Sequence, residues 1–453
     1  MMAKTRMYVV LVAASALVAA GVTIPAAAQE ATGQQAAKTS VLRPLDGSQG
    51  DSGGAADPQG EPTAQDLKKA VEENAPVKPA GKERLTVSGF LSATFFAQDQ
   101  NFSFGNGQNA EWPVGPQYTT NKWFNGGDVR NTRLTLAFNG PEVGDGWKVG
   151  AVLESDFFGG FNGTGAFSQE QAVPRIRLAF TDLTNGGTTL RIGQFWSPFF
   201  GEVPASLSHI AFPLGYGSAG MIGWRFPGIF LYQDLSGKAA TVKSKLTVAI
   251  FEGSWDAPSP ITNQSAGNVG FRNQVEGRLD FNGKTGGGNA WGLYVAAHWD
   301  DKDLTGVNDV NPAGTHGVKS LTGTGVELGG SYKIGPFLIH GNLYTTKATG
   351  QQFSAITQFG DIKDQGGWLQ LGYDINKRWS VYGFYGMADP NDADVLKWVG
   401  SAGRIKNTQA VFMVQYSLGQ YQLGLEWLHD EVTMATNAKV KGNQIALSTR
   451  YIF

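Results

Sequence analysis

The chain has no cysteine in 453 residues. That excludes disulfide scaffolds, thiolate metal sites, iron–sulfur clusters and thiol nucleophiles together. Charge is scarce as well: charged residues make up 16% of the chain, and Lys+Arg 36 nearly cancel Asp+Glu 38. A nucleic-acid binder normally carries a basic excess, so no nucleic acid is expected as a partner. Histidine is rare. His209, His298, His316, His340 and His429 form no H-E-x-x-H pattern, and no G-x-S-x-G elbow stands out. No metal site, no cofactor and no enzymatic activity are therefore expected. Long hydrophobic runs are missing after the first residues. The longest nearly uncharged stretch, Val203 to Trp224, is broken by Pro204, Pro213, Gly215, Gly217, Gly220 and Gly223, and reads as a loop. With a slightly polar mean hydropathy, the chain is not a polytopic helical membrane protein. A membrane barrel stays open, because alternating strands average near neutral.

What is present is glycine (62 residues) and aromatics (Phe 27, Tyr 13, Trp 12). Residues 1–28 read as a signal peptide: Lys4 and Arg6, an apolar run from Tyr8 to Ala20, then Ala26-Ala27-Ala28 before Gln29. Residues 29–84 contain no Phe, Tyr or Trp and are expected to be a flexible periplasmic segment. Within it, 65–74 (QDLKKAVEEN) could form one short helix.

From Leu85 to Phe453 the text changes to short segments with a two-residue period. In 274–281, Val275, Gly277, Leu279 and Phe281 lie on one face and Gln274, Glu276, Arg278 and Asp280 on the other. Sixteen such segments are predicted, near 85–96, 129–139, 146–157, 174–181, 188–196, 221–231, 243–253, 274–281, 289–298, 324–334, 337–346, 365–375, 378–387, 408–418, 421–428 and 441–453. Their connectors alternate long and short. Gly335-Pro336, Asn376-Lys377 and Gly419-Gln420 are turn chemistry; the long ones are polar or glycine-rich. One-sided loop length with an even strand count implies an all-β fold, an antiparallel transmembrane barrel over 85–453 with short periplasmic turns and long extracellular loops. It places the chain in the outer membrane of a Gram-negative bacterium, with lipid and lipopolysaccharide as its surroundings. A secreted sandwich or a propeller also shows short alternating strands, but neither predicts one-sided loops. Trp147, Trp291, Trp379, Tyr421, Trp427 and Tyr451 near segment ends suit interfacial girdles.

The facing of the charges follows from energy. An arginine on the lipid side costs roughly 2–4 kcal/mol near the midplane, so Arg175, Arg177 and Arg191 are expected inside. Ile176, Leu178, Phe180, Leu190 and Ile192 then face lipid. The same parity puts Arg133, Lys148 and Arg225 inside, with Glu154 and Asp156 beside them. Arg130 falls on the other parity and is expected at the outer rim or beyond a bulge. This basic ladder would draw anionic solutes; the competing role is bracing, with Glu154 and Asp156 neutralising Arg175 and Arg177. The connector Ser197 to Gly220, between the fifth and sixth strands, is apolar with only Glu202 charged. It is expected to fold into the pore, with Glu202 facing the ladder.

Glu154-Ser155-Asp156-Phe157-Phe158-Gly159, Arg175-Ile176-Arg177-Leu178-Ala179, and Arg191-Ile192-Gly193-Gln194-Phe195-Trp196-Ser197-Pro198-Phe199 together resemble the DcaP-like trimeric outer-membrane transporters. Trp224-Arg225-Phe226-Pro227 sits where that family has an arginine-bearing strand, and Tyr451-Ile452-Phe453 looks like a barrel sorting end. Gly193-Gln194-Phe195 with Pro198-Phe199 is also similar to phosphate-selective porins, whose constrictions use lysines where this ladder is mostly arginine. The resemblance implies a homotrimeric sixteen-stranded channel passing small, often negatively charged organic solutes such as (di)carboxylates. The alternative is a sugar-selective or general porin, in which Tyr294, Tyr344, Trp368, Tyr382 and Phe384 would form an inward stacking track. An outer-membrane enzyme or a structural adhesin barrel ranks below both.

Overall fold

The computed structural model describes residues 84–115, 122–160, 172–237, 239–252, 272–306 and 316–453. The expected leader over 1–28, the segment 29–84 apart from Arg84, and its helix at 65–74 lie outside the described residues. Among the described residues, sixteen antiparallel strands form a closed barrel: β1 (Arg84–Gln98), β2 (Arg133–Gly144), β3 (Trp147–Asp156), β4 (Arg175–Asn185), β5 (Thr188–Trp196), β6 (Arg225–Asp234), β7 (Val242–Phe251), β8 (Gln274–Lys284), β9 (Ala290–Asp303), β10 (Ser320–Ile334), β11 (Phe337–Lys347), β12 (Lys363–Asp374), β13 (Trp379–Ala388), β14 (Arg404–Leu418), β15 (Tyr421–Met434) and β16 (Lys439–Ile452). Each pairs with its sequence neighbours. β1 closes the ring, with Phe90–Gln98 on β16 and Arg84–Phe90 on β2. A short extra strand, Phe124–Asp128, extends the edge of β1.

One end of the barrel carries tight turns. Gly186, Gly335 and Gly419 take positive φ of 58°, 53° and 59° there, which a two-residue hairpin turn demands and a side chain resists. The other end carries the long connectors, with one departure from the expected alternation. β15 and β16 run further than their periodicity suggests, so only 435–438 joins them. Lys439 and Lys441 both reach Glu431 across that extension, at 2.6 and 2.8 Å.

The two faces sort as alternation requires. Phe95, Leu134, Ile176, Leu343, Leu425 and Leu447 stand exposed on the outside, and a continuous apolar exterior of this kind belongs against hydrocarbon. Trp379, Tyr421 and Tyr451 are exposed beside the tight turns, where amphipathic rings meet the membrane interface.

One register departs from strict alternation. Between Glu154 and Ser155 of β3 the pairing with β4 slips by one residue, so Glu154 faces Leu178 while Ser155 faces Ile176. The extra residue forms a β-bulge and reverses the parity beyond it. Leu178 and Phe180, expected against lipid, are therefore inside at 0% and 5% exposure, and Asp182 is inside with them; Ile176, ahead of the bulge, is 57% exposed as expected. Leu178, Phe180 and Phe195 pack with Phe226, Phe230 and Phe251 on the inner wall of β4 to β7.

The connector 197–224 folds into the bore. Phe199, Leu207, Leu214 and Tyr216 are at most 1% exposed, and each buried side chain of this size contributes roughly 1.5–3 kcal/mol. An extended, solvated loop would forgo that stabilisation. Its apolar side packs on Trp368, Phe384, Val411 and Leu428 of the β12–β15 wall. The connector 348–362 also turns inward, and its residues Gln352, Ala355 and Ile356 are buried.

Candidate functional site

Side chains from the wall seat the inner loop by completing its backbone hydrogen bonds, which a buried loop must satisfy. Glu426 of β15 accepts from Ser206 Oγ at 2.6 Å and from the amides of Leu207 and Ser208 at 2.8 and 2.7 Å. Gln370 of β12 accepts from the Ala205 amide at 2.7 Å and donates to its carbonyl at 2.9 Å. Arg278 of β8 donates to the Pro198 and Phe200 carbonyls at 3.2 and 3.4 Å. His209 holds the loop to the first long connector, with Nε2 3.0 Å from the Ala110 carbonyl. Burial pushes His209 down to about 4, so it is neutral at physiological pH and bridges without adding charge. Glu426→Ala is expected to leave the barrel intact while freeing the loop tip. Limited proteolysis should then cut within 203–212, where the parent chain resists.

Opposite that seat, β2 to β6 bring charges together at one level. Arg133, Arg175 and Arg225 are first residues of their strands, and Asp156 is the last of β3; the pairings Asp156↔Arg175 and Trp196↔Arg225 bring their ends level. Arg177 Nε donates to Glu154 at 2.7 Å and its Nη1 to Asp156 at 2.8 Å. Arg175 clamps Asp156 with two hydrogen bonds of 3.0 and 2.7 Å. Arg133 lies 3.7 Å from Glu154 without a hydrogen bond to it, and its Nε and Nη2 have no hydrogen-bond partner among the described residues. Three guanidinium groups thus meet two carboxylates, and Arg225 on the same wall raises the formal excess to two positive charges.

Arg225 stands apart from the carboxylates. It lies between the rings of Trp224 and Trp196, 4.4 and 4.7 Å from their centroids, and its Nε and Nη1 have no hydrogen-bond partner among the described residues. Aromatic stacking contributes roughly 0.5–2 kcal/mol. A hydrogen bond from a charged donor contributes about 1.5–3 kcal/mol each, so Arg225 keeps unused capacity for an oxyanion.

The remaining expected residues fall elsewhere. Arg191 is on the inner wall but nearer the tight turns, clamped on Asp182 of β4 by hydrogen bonds of 2.8 and 2.9 Å. Its charge is neutralised locally. Lys148 shares the inward parity but sits near the β2–β3 turn opposite Thr184. Glu202 is buried against the opposite wall, its amide 3.4 Å from the Tyr294 hydroxyl of β9, and not against the ladder as expected. Arg130 lies beside the cluster, its carbonyl accepting from the Phe157 amide at 3.1 Å and its guanidinium 4.5 Å from the Phe158 ring and paired with Asp128 at 2.7 Å. Inward arginines absent from the expected ladder include Arg278, and Arg450 of β16, which donates to Gln422 at 2.6 Å. Both sit on the polar parity of their strands, the signal that could have found them.

No protein-family model matches the sequence, and no curated protein matches it. Among solved structures the chain is similar to the outer membrane channel DcaP of Acinetobacter baumannii, at 19% identity and a TM-score of 0.61, over 83% of this chain and 99% of that one. It is similar to an anion-selective porin from Comamonas acidovorans (14% identity, TM-score 0.50, 82% of this chain and 100% of that one). It is also similar to Salmonella typhi OmpF in complex with daunomycin (14%, 0.51, 82% and 97%). At these identities the likeness is one of architecture, and the chain has the sixteen-stranded barrel of the outer-membrane porins.

Proposed function

We propose that the chain is an outer-membrane porin, a water-filled channel for passive uptake of small hydrophilic solutes that favours anions, (di)carboxylates among them. The observation that carries the anion preference is the excess of guanidinium over carboxylate on the β2–β6 wall, with Arg225 left without a hydrogen-bond partner among the described residues. A fixed positive field beside a narrow aqueous path raises the local anion concentration. Export by the leader 1–28, assembly as a homotrimer and contact with lipopolysaccharide belong to the same reading, supported by the resemblance to DcaP-like transporters.

The sugar-track alternative is disfavoured by what covers its rings. Trp368 and Phe384 pack with Phe200 and Leu214 of the inner loop, Tyr382 packs with Ala205 and Leu207, and Tyr344 with Phe199. Tyr294 donates to Glu327 and carries Arg278 on its face. Rings that seat a loop have no free face for a pyranose. Liposome swelling with the purified chain tests the reading. A dicarboxylate should enter faster than a neutral solute of equal size; equal rates would reject the preference, and no swelling would reject the channel.

A further inference from the structure

Beneath the inner loop, β8 and β9 bury a row of ionisable side chains that the anion path does not use. Glu276 of β8 stands opposite His298 of β9, with Asp300 and Lys302 following on the same face of β9. Their side chains are at most 1% exposed. His298 Nδ1 lies 2.7 Å from Glu276 Oε1, and Nε2 lies 2.8 Å from Asp300 Oδ2. Both carboxylates accept from other donors at every oxygen. Glu276 Oε2 accepts from the Phe199 amide at 2.8 Å and Oε1 from Gln352 Nε2 at 3.0 Å. Asp300 Oδ2 accepts from Gln351 Nε2, and Oδ1 from Lys302 Nζ. The Gln352 amide cannot be turned round, because its Oε1 accepts from the Trp224 amide at 3.1 Å. A ring nitrogen that faces such an oxygen has to carry a hydrogen. His298 therefore carries two and is an imidazolium. The row then sums to zero charge, the condition under which burial of ions is tolerated.

The neighbouring charges are taken up elsewhere. Arg278 of β8 turns to Asp280 at 2.8 Å. From β10, Gly325 stands opposite His298, and Glu327 accepts from Tyr294. The 197–224 loop faces the imidazole with the Phe199 ring at 5.6 Å. The 348–362 connector brings Gln351 and Gln352, and its acid, Asp361, pairs with Lys347 at 3.1 Å. The row also seats both inner connectors. Gln352 accepts from Ser197 Oγ at 3.3 Å, and its carbonyl accepts from the Gly223 amide at 2.7 Å, so it ties 348–362 to both ends of the 197–224 loop. Lys302 donates to the Ala348 carbonyl at 3.0 Å. The connector has to be held, because Ala355, Ile356 and Thr357 take φ of 51°, 53° and 56°, a left-handed run that side chains resist and that only its surroundings maintain.

We propose that His298, as an imidazolium, is the positioning residue that seats both inner connectors, so that one buried proton fixes the aperture of the bore. When that proton leaves in alkaline solution, a nitrogen lone pair faces a carboxylate oxygen and the row carries an uncompensated negative charge. The carboxylates then move off, and Phe199, Gln351 and Gln352 lose the acceptors that hold them. The effect on permeation rests on the porin reading above; the seating itself does not.

Limited proteolysis of the full chain with a broad-specificity protease, beside current recording in planar bilayers, tests this, with heat-modifiable mobility confirming folded barrels. His298→Gln removes the charge. Glu276→Gln combined with His298→Gln restores the zero sum, because the two amides can hydrogen-bond to each other and to Asp300. At neutral pH His298→Gln should be cut within 348–362 at least about tenfold faster than the parent, since an uncompensated buried charge is strongly destabilising. The double variant should be cut like the parent. Raising the pH to about 10 should bring the parent reversibly to the fast rate, and should leave the double variant slow. Current fluctuations should follow the same order. A parent rate that stays flat with pH, or a single variant cut no faster than the double one, would overturn the seat and leave the porin reading standing. Should His298→Gln fail to fold, the pH profiles of the parent and the double variant decide alone. Connectors released as described in a chain that passes no current would keep the seat and reject the porin reading.

Discussion

Replacing Arg225 with glutamate is expected to lower anion permeability about tenfold in dilute salt and to raise cation permeability by a similar factor. The substitution changes the local charge by two units and removes the formal excess on the β2–β6 wall. At about 6 Å through water each unit charge acts on a passing ion with ~0.7 kcal/mol. Two units therefore give ~1.4 kcal/mol, a factor of about ten. The effect should shrink steeply towards molar salt, where the screening length falls to about 3 Å. Arg225→Lys keeps the charge and should keep most of the selectivity while losing the planar fork that suits a carboxylate. Lys148→Glu, an equal change of charge near the tight turns, should move the ratio much less. Reversal potentials of the three variants check this. An unchanged ratio in Arg225→Glu would leave the arginines as braces of the wall and nothing more.

Asp182→Asn is expected to cost about 3–5 kcal/mol of barrel stability, because it strands a buried charge. Arg191 is 1% exposed, lies 3.8 and 4.0 Å from the ring centroids of Phe180 and Phe195, and donates two hydrogen bonds to Asp182. Removing both charges behaves differently: Asp182→Leu with Arg191→Met should lie within about 1–2 kcal/mol of the parent, since a buried pair gains little over well-packed apolar groups. Urea unfolding in detergent micelles, followed by tryptophan fluorescence, measures both. A loss below about 1 kcal/mol for Asp182→Asn would mean that water reaches the pair.

The same pair shows where the sequence was legible and where it was not. All sixteen strands were readable because each separates lipid from a wet interior, and that separation imposes a two-residue period on every segment. The inward loop was readable from composition, since Phe199, Phe200, Leu207 and Leu214 need cover. The bulge at Arg177 and Leu178 was not. One inserted residue reverses every later side chain on β4, so strict alternation sent Phe180 outward and hid Asp182 from Arg191. The available signal was a conflict, a carboxylate forced onto the lipid face at Asp182. Because Asp182 lies three residues from the end of β4, where a misplaced charge costs little, that signal was weak. Glu202 failed for another reason. Which wall a loop residue meets depends on its long-range seat, set by Glu426, Gln370 and Arg278, and no local pattern encodes that. The second inward connector, 348–362, was hidden likewise, its left-handed residues being alanine, isoleucine and threonine rather than glycine.

The zero-current potential of the parent chain in a planar bilayer under a KCl gradient tests the central claim most directly. A bore walled by Arg133, Arg175, Arg177 and Arg225 should pass chloride ahead of potassium and make the dilute side negative. A dilute side that turns positive would contradict the account.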